Sequence, residues 1–332
     1  MSKSKILTVA LIVCLAVLAG CAWFMFGTTG AGISYANADK YTVGGTTVTD
    51  TVENLFIDWT EGKVNIEYHA GSGITVSETA DRDLSEDDQL RWWLDGTTLR
   101  IRYAKPGFRI SVSLHKQLTV SLPEGTVLKT AEIGSTSGDL NIPALAADEI
   151  RLDSTSGNVF AVTDTKKLTA SATSGDMDIR QDSDIGTVVL GSTSGSIACT
   201  LGNVSDVTAH STSGSVRLAV TGSAGTVKLD STSGSIYPDL ASADKAEFSS
   251  TSGSVEGKAA AFRDMKIGST SGTVAMKLPA LPGFTCEIGT ASGDFSTDLF
   301  LTKNGNTYTC GDGSARLSIN TTSGNIRLEQ IR

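Results

Sequence analysis

The chain has 332 residues, a formal net charge of -9 at pH 7, six prolines and 35 glycines. This length suits one long folded domain or two short ones. The acidic balance argues against a nucleic-acid partner, because a phosphate backbone is bound by a basic protein face.

The N-terminus carries a segment that is apolar enough to span a membrane. Lys3 and Lys5 precede an uncharged run over residues 6–27, and the next basic residue is Lys40. A run of this length, at about 1.5 Å per residue, crosses a hydrocarbon core of roughly 30 Å. Because flanking basic residues stay on the cytoplasmic side, we predict a cytoplasmic tail over residues 1–5, a transmembrane helix over residues 6–27 and an extracytoplasmic body.

The same run permits a second interpretation, in which the protein is a lipoprotein. Residues 18–21, Leu-Ala-Gly-Cys, match a bacterial lipobox, which predicts cleavage before Cys21 and acylation of that cysteine. The residues after Cys21 stay apolar as far as Phe26, where a lipoprotein usually turns polar, and this favours the retained helix. Both interpretations place the body outside the membrane and attached to it.

The composition changes after the apolar run. Residues 28–40 are small and polar and predict a short stalk. Residues 41–125 predict an N-terminal β region with degenerate repeats, because residues 55–66 form an imperfect copy of the later repeat with Gly62 at its corner. The acidic residues within 81–88 lack the ordered spacing of a calcium loop. A solvated loop is therefore the preferred interpretation of that stretch, with a metal site as the alternative.

A tetrapeptide close to Ser-Thr-Ser-Gly recurs through residues 126–332. Its glycines are Gly138, Gly157, Gly175, Gly195, Gly214, Gly234, Gly253, Gly272, Gly293 and Gly324. Intervals of 18 to 21 residues separate them, except for a final interval of 31 residues. Such a period is typical of stacked repeat architectures. Helical solenoids usually have periods of about 33 residues or more, and corners rich in glycine and serine disfavour helices.

Apolar residues flank each glycine at fixed spacing. They occur seven and five residues before the glycine and two residues after it, as at Val227, Leu229 and Ile236 around Gly234. A mostly polar residue separates the first two, which is the two-residue period of a half-buried strand. We therefore predict an all-β fold, a β-solenoid of about ten stacked coils of 19–20 residues. Each coil has two strands joined at a Ser-Thr-Ser-Gly corner, and stacking buries apolar side chains that a single coil leaves exposed.

The corner residues have a structural interpretation. We expect the glycine to supply a positive φ angle, and the serines and threonine to hydrogen-bond the backbone or one another in adjacent coils. Residues 134–138 resemble a nucleophile elbow at first sight. Thr136 stands where that motif has its serine, and no helix follows.

The long interval between Gly293 and Gly324 predicts an inserted hairpin near residues 296–312. Such a hairpin would cap the terminal sheet edge, and a partner-binding role is the alternative. Cys286 lies in an inward column and Cys310 ends the hairpin, so we consider a disulfide between them possible. Cys199 also falls in an inward column, which predicts a buried, apolar role.

The sequence offers no convincing catalytic constellation. His210, Ser211 and Asp230 come closest to a triad, but nothing in the repeat orients them, and we expect His210 on an exposed face. No phosphate-binding loop occurs, and the cysteine spacing does not match a zinc site. We therefore expect no catalytic residue, no cofactor-binding residue and no metal ligand.

Several stretches resemble a known family. They are the entry strand over residues 118–123, the Ser-Gly-Asp-Leu-Asn-Ile stretch over residues 137–142, and residues 311–313 with 323–326 near the end. Together they resemble the putative-adhesin family of bacterial envelope β-strand-repeat proteins, a domain of unknown function. The resemblance covers roughly residue 55 onwards and implies a membrane-tethered β-repeat protein without established catalytic residues.

These features predict a non-enzymatic, membrane-anchored protein with a structural or adhesin-like binding role at the bacterial envelope. Its expected partners are cell-wall polymers or other envelope proteins. One alternative is a glycan-binding or glycan-processing surface protein, in which Tyr237, Phe160 or the Trp92–Trp93 pair would stack on sugars. Another alternative, a partner in envelope-stress signalling, follows from the family resemblance alone.

Overall fold

A computed structural model describes residues 32–108 and 114–331, which form almost entirely β-structure. In this part of the chain the single helical element is a 3-10 turn over Ala38–Lys40. The prediction of an all-β fold is therefore confirmed. No helix among the described residues is long and apolar enough to cross a bilayer. The predicted transmembrane segment over residues 6–27 and the lipidation candidate Cys21 lie outside the described residues.

The chain divides into two compact units, unit 1 ending at Ile179 and unit 2 beginning at Arg180. The strands of unit 1 are β1 (Gly32–Ile33), β2 (Thr42–Val43), β3 (Thr46–Val48), β4 (Asn54–Trp59), β5 (Val64–His69), β6 (Ile74–Thr79), β7 (Arg91–Asp95), β8 (Thr98–Arg102), β9 (Gly107–Phe108), β10 (Gln117–Pro123), β11 (Leu128–Ser135), β12 (Leu140–Ser154) and β13 (Val159–Ala172). Strand β14 (Met177–Gln181) contains the point of division.

The strands of unit 2 are β15 (Ile185–Ser192), β16 (Ile197–Leu201), β17 (Val204–Ser211), β18 (Val216–Ser231), β19 (Ile236–Ser250), β20 (Val255–Ala259), β21 (Phe262–Ser269), β22 (Val274–Leu278), β23 (Gly283–Thr290), β24 (Phe295–Thr297), β25 (Thr302–Asn304), β26 (Thr307–Gly311), β27 (Ala315–Thr321) and β28 (Ile326–Gln330).

In unit 1 the repeats pair in parallel and in register. Ala131 of β11 lies between Leu55 of β4 and Ile150 of β12, and Ile150 in turn pairs with Leu168 of β13. All four side chains are buried. The degenerate copy with Gly62 at its corner is thus the direct neighbour of the first regular repeat. Stacking in register places equivalent apolar residues on one another, so the core is a continuous column.

Unit 2 repeats the same parallel register with a change in order. The coil that contains β21 and β22 pairs with β27 and β28, and β27 and β28 pair in turn with β23 and β24. The coil with Gly324 therefore lies between the coils with Gly272 and Gly293, and not after both of them, as stacking in chain order would require. The hairpin formed by β25 and β26 explains this order, because β26 pairs antiparallel with the outer edge of β23.

The expectation of a positive φ angle at the corner glycines is wrong. Among the repeat corners, left-handed backbone occurs at the degenerate Gly62 but at none of the ten glycines of the regular repeats. What requires glycine there is proximity between coils. A Cβ atom on Gly234 would lie 2.0 Å from the carbonyl oxygen of Gly214, and one on Gly157 would lie 2.0 Å from that of Gly138. Real Cβ atoms do not approach backbone so closely, so the stacked corner excludes every other residue.

The described part of the predicted stalk packs on unit 1. Strand β1 pairs with β9, and the Tyr35 hydroxyl donates a hydrogen bond of 3.0 Å to the carbonyl oxygen of Ala104. The Tyr35 ring also lies 4.9 Å from the Tyr41 ring and 5.1 Å from the Arg102 guanidinium. Residues 32–41 are therefore attached to the body of unit 1.

Candidate binding surface

A serine lies three residues before most of the corner glycines, and in unit 2 Ser211, Ser231, Ser250 and Ser269 form a buried hydrogen-bond ladder. In unit 2, Ser231 Oγ accepts from the Gly234 N–H at 2.9 Å and donates to the Gly214 carbonyl at 3.3 Å. Ser211 Oγ makes the same two bonds, with the Gly214 N–H and the Gly195 carbonyl. Each hydroxyl satisfies one orphan donor within its coil and one acceptor in the coil before it. These hydroxyls hold the corners together.

The structure changes the interpretation of the His210–Ser211–Asp230 group. His210 and Asp230 are neighbours in the register of β17 and β18, as the repeat predicts. His210 is only 6% exposed, so the expected exposed face is wrong. In unit 1 the equivalent outward column is also buried, at Asp153 and Ser171. Burial is therefore shared by other residues at this position in the coil and gives no sign of a special histidine.

The hydrogen bonds of Ser211, and not the charges around His210, oppose a catalytic role for this group. Burial lowers the pKa of His210, and the nearby Lys228 ammonium lowers it further. Burial also raises the pKa of Asp230 to about 6, against the opposing effect of Lys228 and with a contribution from Glu247. The imidazole is thus neutral, and the hydroxyl of Ser211 is already bonded on both sides. The arrangement lacks an available nucleophile.

The cysteines do not form the disulfide considered from the sequence. Cys286 and Cys310 are both free and buried, as is Cys199. On the paired strands β23 and β26, Cys286 lies opposite Tyr308 and Cys310 lies opposite Phe284. The two cysteines are thus diagonal neighbours, about 7–8 Å apart between Cα atoms, which exceeds the usual span of a disulfide. Burial, with a smaller contribution from Glu287, raises the pKa of Cys286 to about 12, so the thiol stays protonated.

A buried ion pair that the sequence did not predict closes one end of unit 1. Lys116 is fully buried, and its ammonium lies 2.6 Å from Glu78 and 2.6 Å from the carbonyl oxygens of Asp88 and Tyr103. The same ammonium lies 5.0 Å from the centre of the Trp59 ring. A Cβ on Gly62 would lie 1.7 Å from the Lys116 carbonyl, so Lys116 ends the column of corner glycines.

The spacing of the repeat is the sequence signal from which the corner position of Lys116 could have been predicted. Leu118 follows it by two residues, as Leu140 follows Gly138, so Lys116 holds the corner position of its coil. With two hydrogen bonds to carbonyl oxygens and an ion pair to Glu78, the lysine acts as a structural cap. Among the described residues, no cluster of histidine, cysteine, aspartate and glutamate could hold a metal ion.

The outward sheet face of unit 2 carries a shallow depression of about 420 Å³ beside Tyr237. Two columns of the repeat supply its walls, three and five residues after the corner glycines. Its lining includes Tyr237, Glu256, Lys258, Lys277, Arg327 and Glu329. The small side chain of Ala275 and the bare backbone of Gly257 leave room between these longer residues. The result is a hollow whose walls combine charged groups with one aromatic ring.

Contacts within the face orient the walls of this depression. The Arg217 guanidinium lies 4.2 Å from the centre of the Tyr237 ring, in register on the preceding coil. Lys258 forms an ion pair of 3.2 Å with Asp239, also across two coils. A guanidinium held on one face of a tyrosine ring restricts that ring. Tyr237 is therefore an aromatic side chain of restricted orientation, with both acidic and basic side chains around it.

The other aromatic candidates have the same intermediate burial as Tyr237. Trp93 makes an edge contact of 5.6 Å with the Tyr41 ring, and the Lys40 ammonium lies 4.9 Å from the centre of its ring. Phe160 lies opposite Asn141 in the register of β12 and β13 and is half-buried.

A second hollow of about 540 Å³ lies where the β25–β26 hairpin meets β23 and β27, lined by Glu287, Lys303, Asn306, Tyr308, Ser318 and Asn320.

The fold and the arrangement of these faces define a class, that of all-β repeat proteins whose parallel coils present columns of side chains. Within this class, the chain belongs to the Toastrack DUF4097 family, whose model matches residues 52–264. The resemblance to a repeat domain of unknown function is thereby confirmed. No curated protein shows significant sequence similarity to the chain.

Three solved structures are similar at low sequence identity. A putative cell adhesion protein from Clostridium sporogenes ATCC 15579 is 13% identical with a TM-score of 0.21, and the match covers 88% of this chain and 100% of that one. A putative lipid binding protein from Parabacteroides distasonis ATCC 8503 is 13% identical with a TM-score of 0.33, covering 88% and 97%. A putative adhesin from Bacteroides fragilis NCTC 9343 is 9% identical with a TM-score of 0.27, covering 88% and 97%. Because all three TM-scores are below 0.5, the family assignment rests on the sequence match.

Proposed function

We propose that this protein is a non-catalytic β-repeat protein, anchored outside a bacterial cytoplasmic membrane, with a structural or adhesin-like binding role at the cell envelope. The observation that carries the proposal is the outward face of unit 2, where Tyr237 and charges of both signs surround an open hollow. The hydroxyl groups of Ser211 and Ser231 are bonded within the corners instead. The finer prediction of a β-solenoid of about ten coils on a transmembrane helix over residues 6–27 is part of the same proposal.

The anchor has a direct test. Intact-mass measurement of the protein from native membranes should return the full chain if residues 6–27 are a retained helix. Loss of the residues before Cys21, together with an added diacylglycerol, would establish the lipoprotein alternative. Recovery of the untagged chain in the soluble fraction would contradict both forms of the proposal.

A second candidate function, glycan binding, is favoured by the Tyr237 hollow. Sugars present hydroxyls to charged and polar groups and an apolar ring face to an aromatic side chain, and this hollow offers both. Full-length protein in liposomes should carry purified cell-wall polymer to the top of a density gradient, and Tyr237→Ala should reduce the amount carried. Phe160→Ala, which removes an aromatic residue from the equivalent column of unit 1, is the matched control.

The same flotation experiment separates catalysis from binding. Binding with no released sugar supports the proposal, whereas release of sugar from the polymer would contradict its non-catalytic part. Failure of the polymer to float with any variant would eliminate the glycan-binding candidate. The envelope-stress alternative makes a different prediction, that crosslinking in intact cells returns a membrane protein as partner.

A further inference from the structure

The segment that follows the apolar run is fixed to unit 1 at several points. Gly32 and Ile33 pair with Phe108 and Gly107 through backbone hydrogen bonds. Downstream of this pair, the Tyr35 hydroxyl donates to the Ala104 carbonyl at 3.0 Å. The segment is thus held by main-chain and side-chain contacts together.

An arginine of unit 1 lies between two aromatic rings at this attachment. The Arg102 guanidinium is 5.1 Å from the centre of the Tyr35 ring and 4.9 Å from that of the Phe56 ring. Asp58 forms an ion pair with the same guanidinium, whose side chain is only 17% exposed. Cation–π contacts gain strength when the cation is desolvated in this way. The Tyr35 ring is therefore held at a defined place on the sheet of unit 1.

This attachment shortens the reach of the tether. A free stalk over residues 28–40 would allow the body to stand up to roughly 45 Å from the end of the apolar run. With the chain fixed from Gly32 onwards, residues 28–31 alone remain, and the distance from Gly27 to Gly32 is at most about 18 Å. That length exceeds the depth of the headgroup layer, roughly 5–8 Å on each side of the hydrocarbon core, by only about 10–13 Å.

We infer that the end of unit 1 that carries β1 and β9 is held against the lipid surface, so that its immediate partner is the headgroup layer. The inference rests on the proposed membrane anchor at residues 6–27 and adds that the anchor is a short one. It follows from the β1–β9 pairing together with the contacts of Tyr35 with Arg102 and Ala104, because release of these attachments would return the reach of the full stalk.

Energy transfer to the bilayer tests the inference on the full chain. A fluorescent amino acid replaces Lys105, whose side chain is exposed and adjacent to Ala104, and the chain is reconstituted in liposomes with acceptor-labelled phosphatidylethanolamine. An insertion of about twelve Gly/Ser residues between Gly30 and Ala31 lengthens the tether by up to roughly 40 Å. Tyr35→Ala removes the contacts of this side chain with Arg102 and Ala104. Tyr35→Phe, which keeps the ring over Arg102, is its matched control.

We expect efficient transfer in the unaltered chain and in Tyr35→Phe, and a several-fold loss of transfer in the insertion variant and in Tyr35→Ala. Weak transfer in the unaltered chain would overturn the inference, as would strong transfer that the insertion leaves unchanged. Acylation at Cys21 would also overturn it, since residues 22–31 would then lengthen the tether. Flotation of the same liposomes distinguishes the two claims: a chain that fails to float contradicts the anchor itself.

Discussion

Gly253 lies so close to Gly234 in the adjacent coil that a Cβ atom on Gly253 would be 2.1 Å from the Gly234 carbonyl oxygen. We predict that Gly253→Ala destabilises unit 2 by about 3 kcal/mol, because two backbone segments would have to move apart. The unfolding midpoint in urea measures the effect. Gly268→Ala is the control, since a Cβ there meets nothing within 4 Å, and it should change stability by less than about 0.5 kcal/mol. Equal effects of the two substitutions would refute the stacking argument.

The serine ladder predicts a second pair of variants. Ser231→Ala leaves the buried Gly234 N–H without its acceptor and should cost about 1–3 kcal/mol. Ser233→Ala, two residues along at an exposed position of the same corner, should be nearly neutral. Thermal unfolding of both variants checks the difference. A neutral Ser231→Ala would show that the hydroxyl is dispensable and free for another role.

Asp230 predicts a specific pH dependence. Its pKa in the folded chain is about 6 because burial disfavours the carboxylate, whereas the unfolded chain has the ordinary lower value. Between about pH 4 and 6 the folded chain therefore binds more protons, so this group makes stability fall as pH rises through that window. Burial lowers the pKa of His210, so this group has the opposite effect. It makes stability rise with pH just below the ordinary pKa of histidine.

Asp230→Asn should remove the first of these contributions. We expect the variant to be more stable than the unaltered chain at pH 7.5, on the order of 2 kcal/mol, and the difference to vanish near about pH 4. Asp206→Asn, which removes an exposed carboxylate of β17, is the matched control for the chemical change. Unfolding midpoints measured across this pH range decide the outcome, and a pH-independent difference would contradict the raised pKa.

The free thiols predict the behaviour of the chain under oxidation and alkylation. We expect Cys286 to resist alkylation in the folded protein at pH 8, because its thiol is buried and its pKa is raised to about 12. After denaturation without reductant, both Cys286 and Cys310 should be alkylated, as intact-mass measurement would show. Two unmodified cysteines under those conditions would instead reveal a disulfide.

The apolar columns were predictable because the repeat encodes them locally. Val227, Leu229 and Ile236 point inward as the two-residue period requires, and each coil repeats that pattern. The order of the last coils was not predictable, since the apolar residues of β24 could stack directly on β22 or, as observed, on β28 lying between them. Long-range pairing in the structure decides between them.

The sequence pattern also did not show why the corners require glycine. Glycine is required both by a positive φ angle and by close backbone approach, and a single sequence does not separate the two causes. The buried pair of Lys116 and Glu78 was missed for a related reason. These residues are far apart in sequence and carry charge, which a local pattern assigns to the surface. Their contact exists only because β6 and β10 are paired.

The position of β27 and β28 between the neighbouring coils bears on how the chain is made. Residues 283–297 leave the ribosome before residues 315–330 do, yet their lasting neighbours in the sheet belong to the later stretch. The coil with Gly293 therefore cannot complete its parallel pairing until the later residues have been synthesised. A stop codon just after the hairpin would remove an interior layer of the protein, and the loss would open two sheet edges at once.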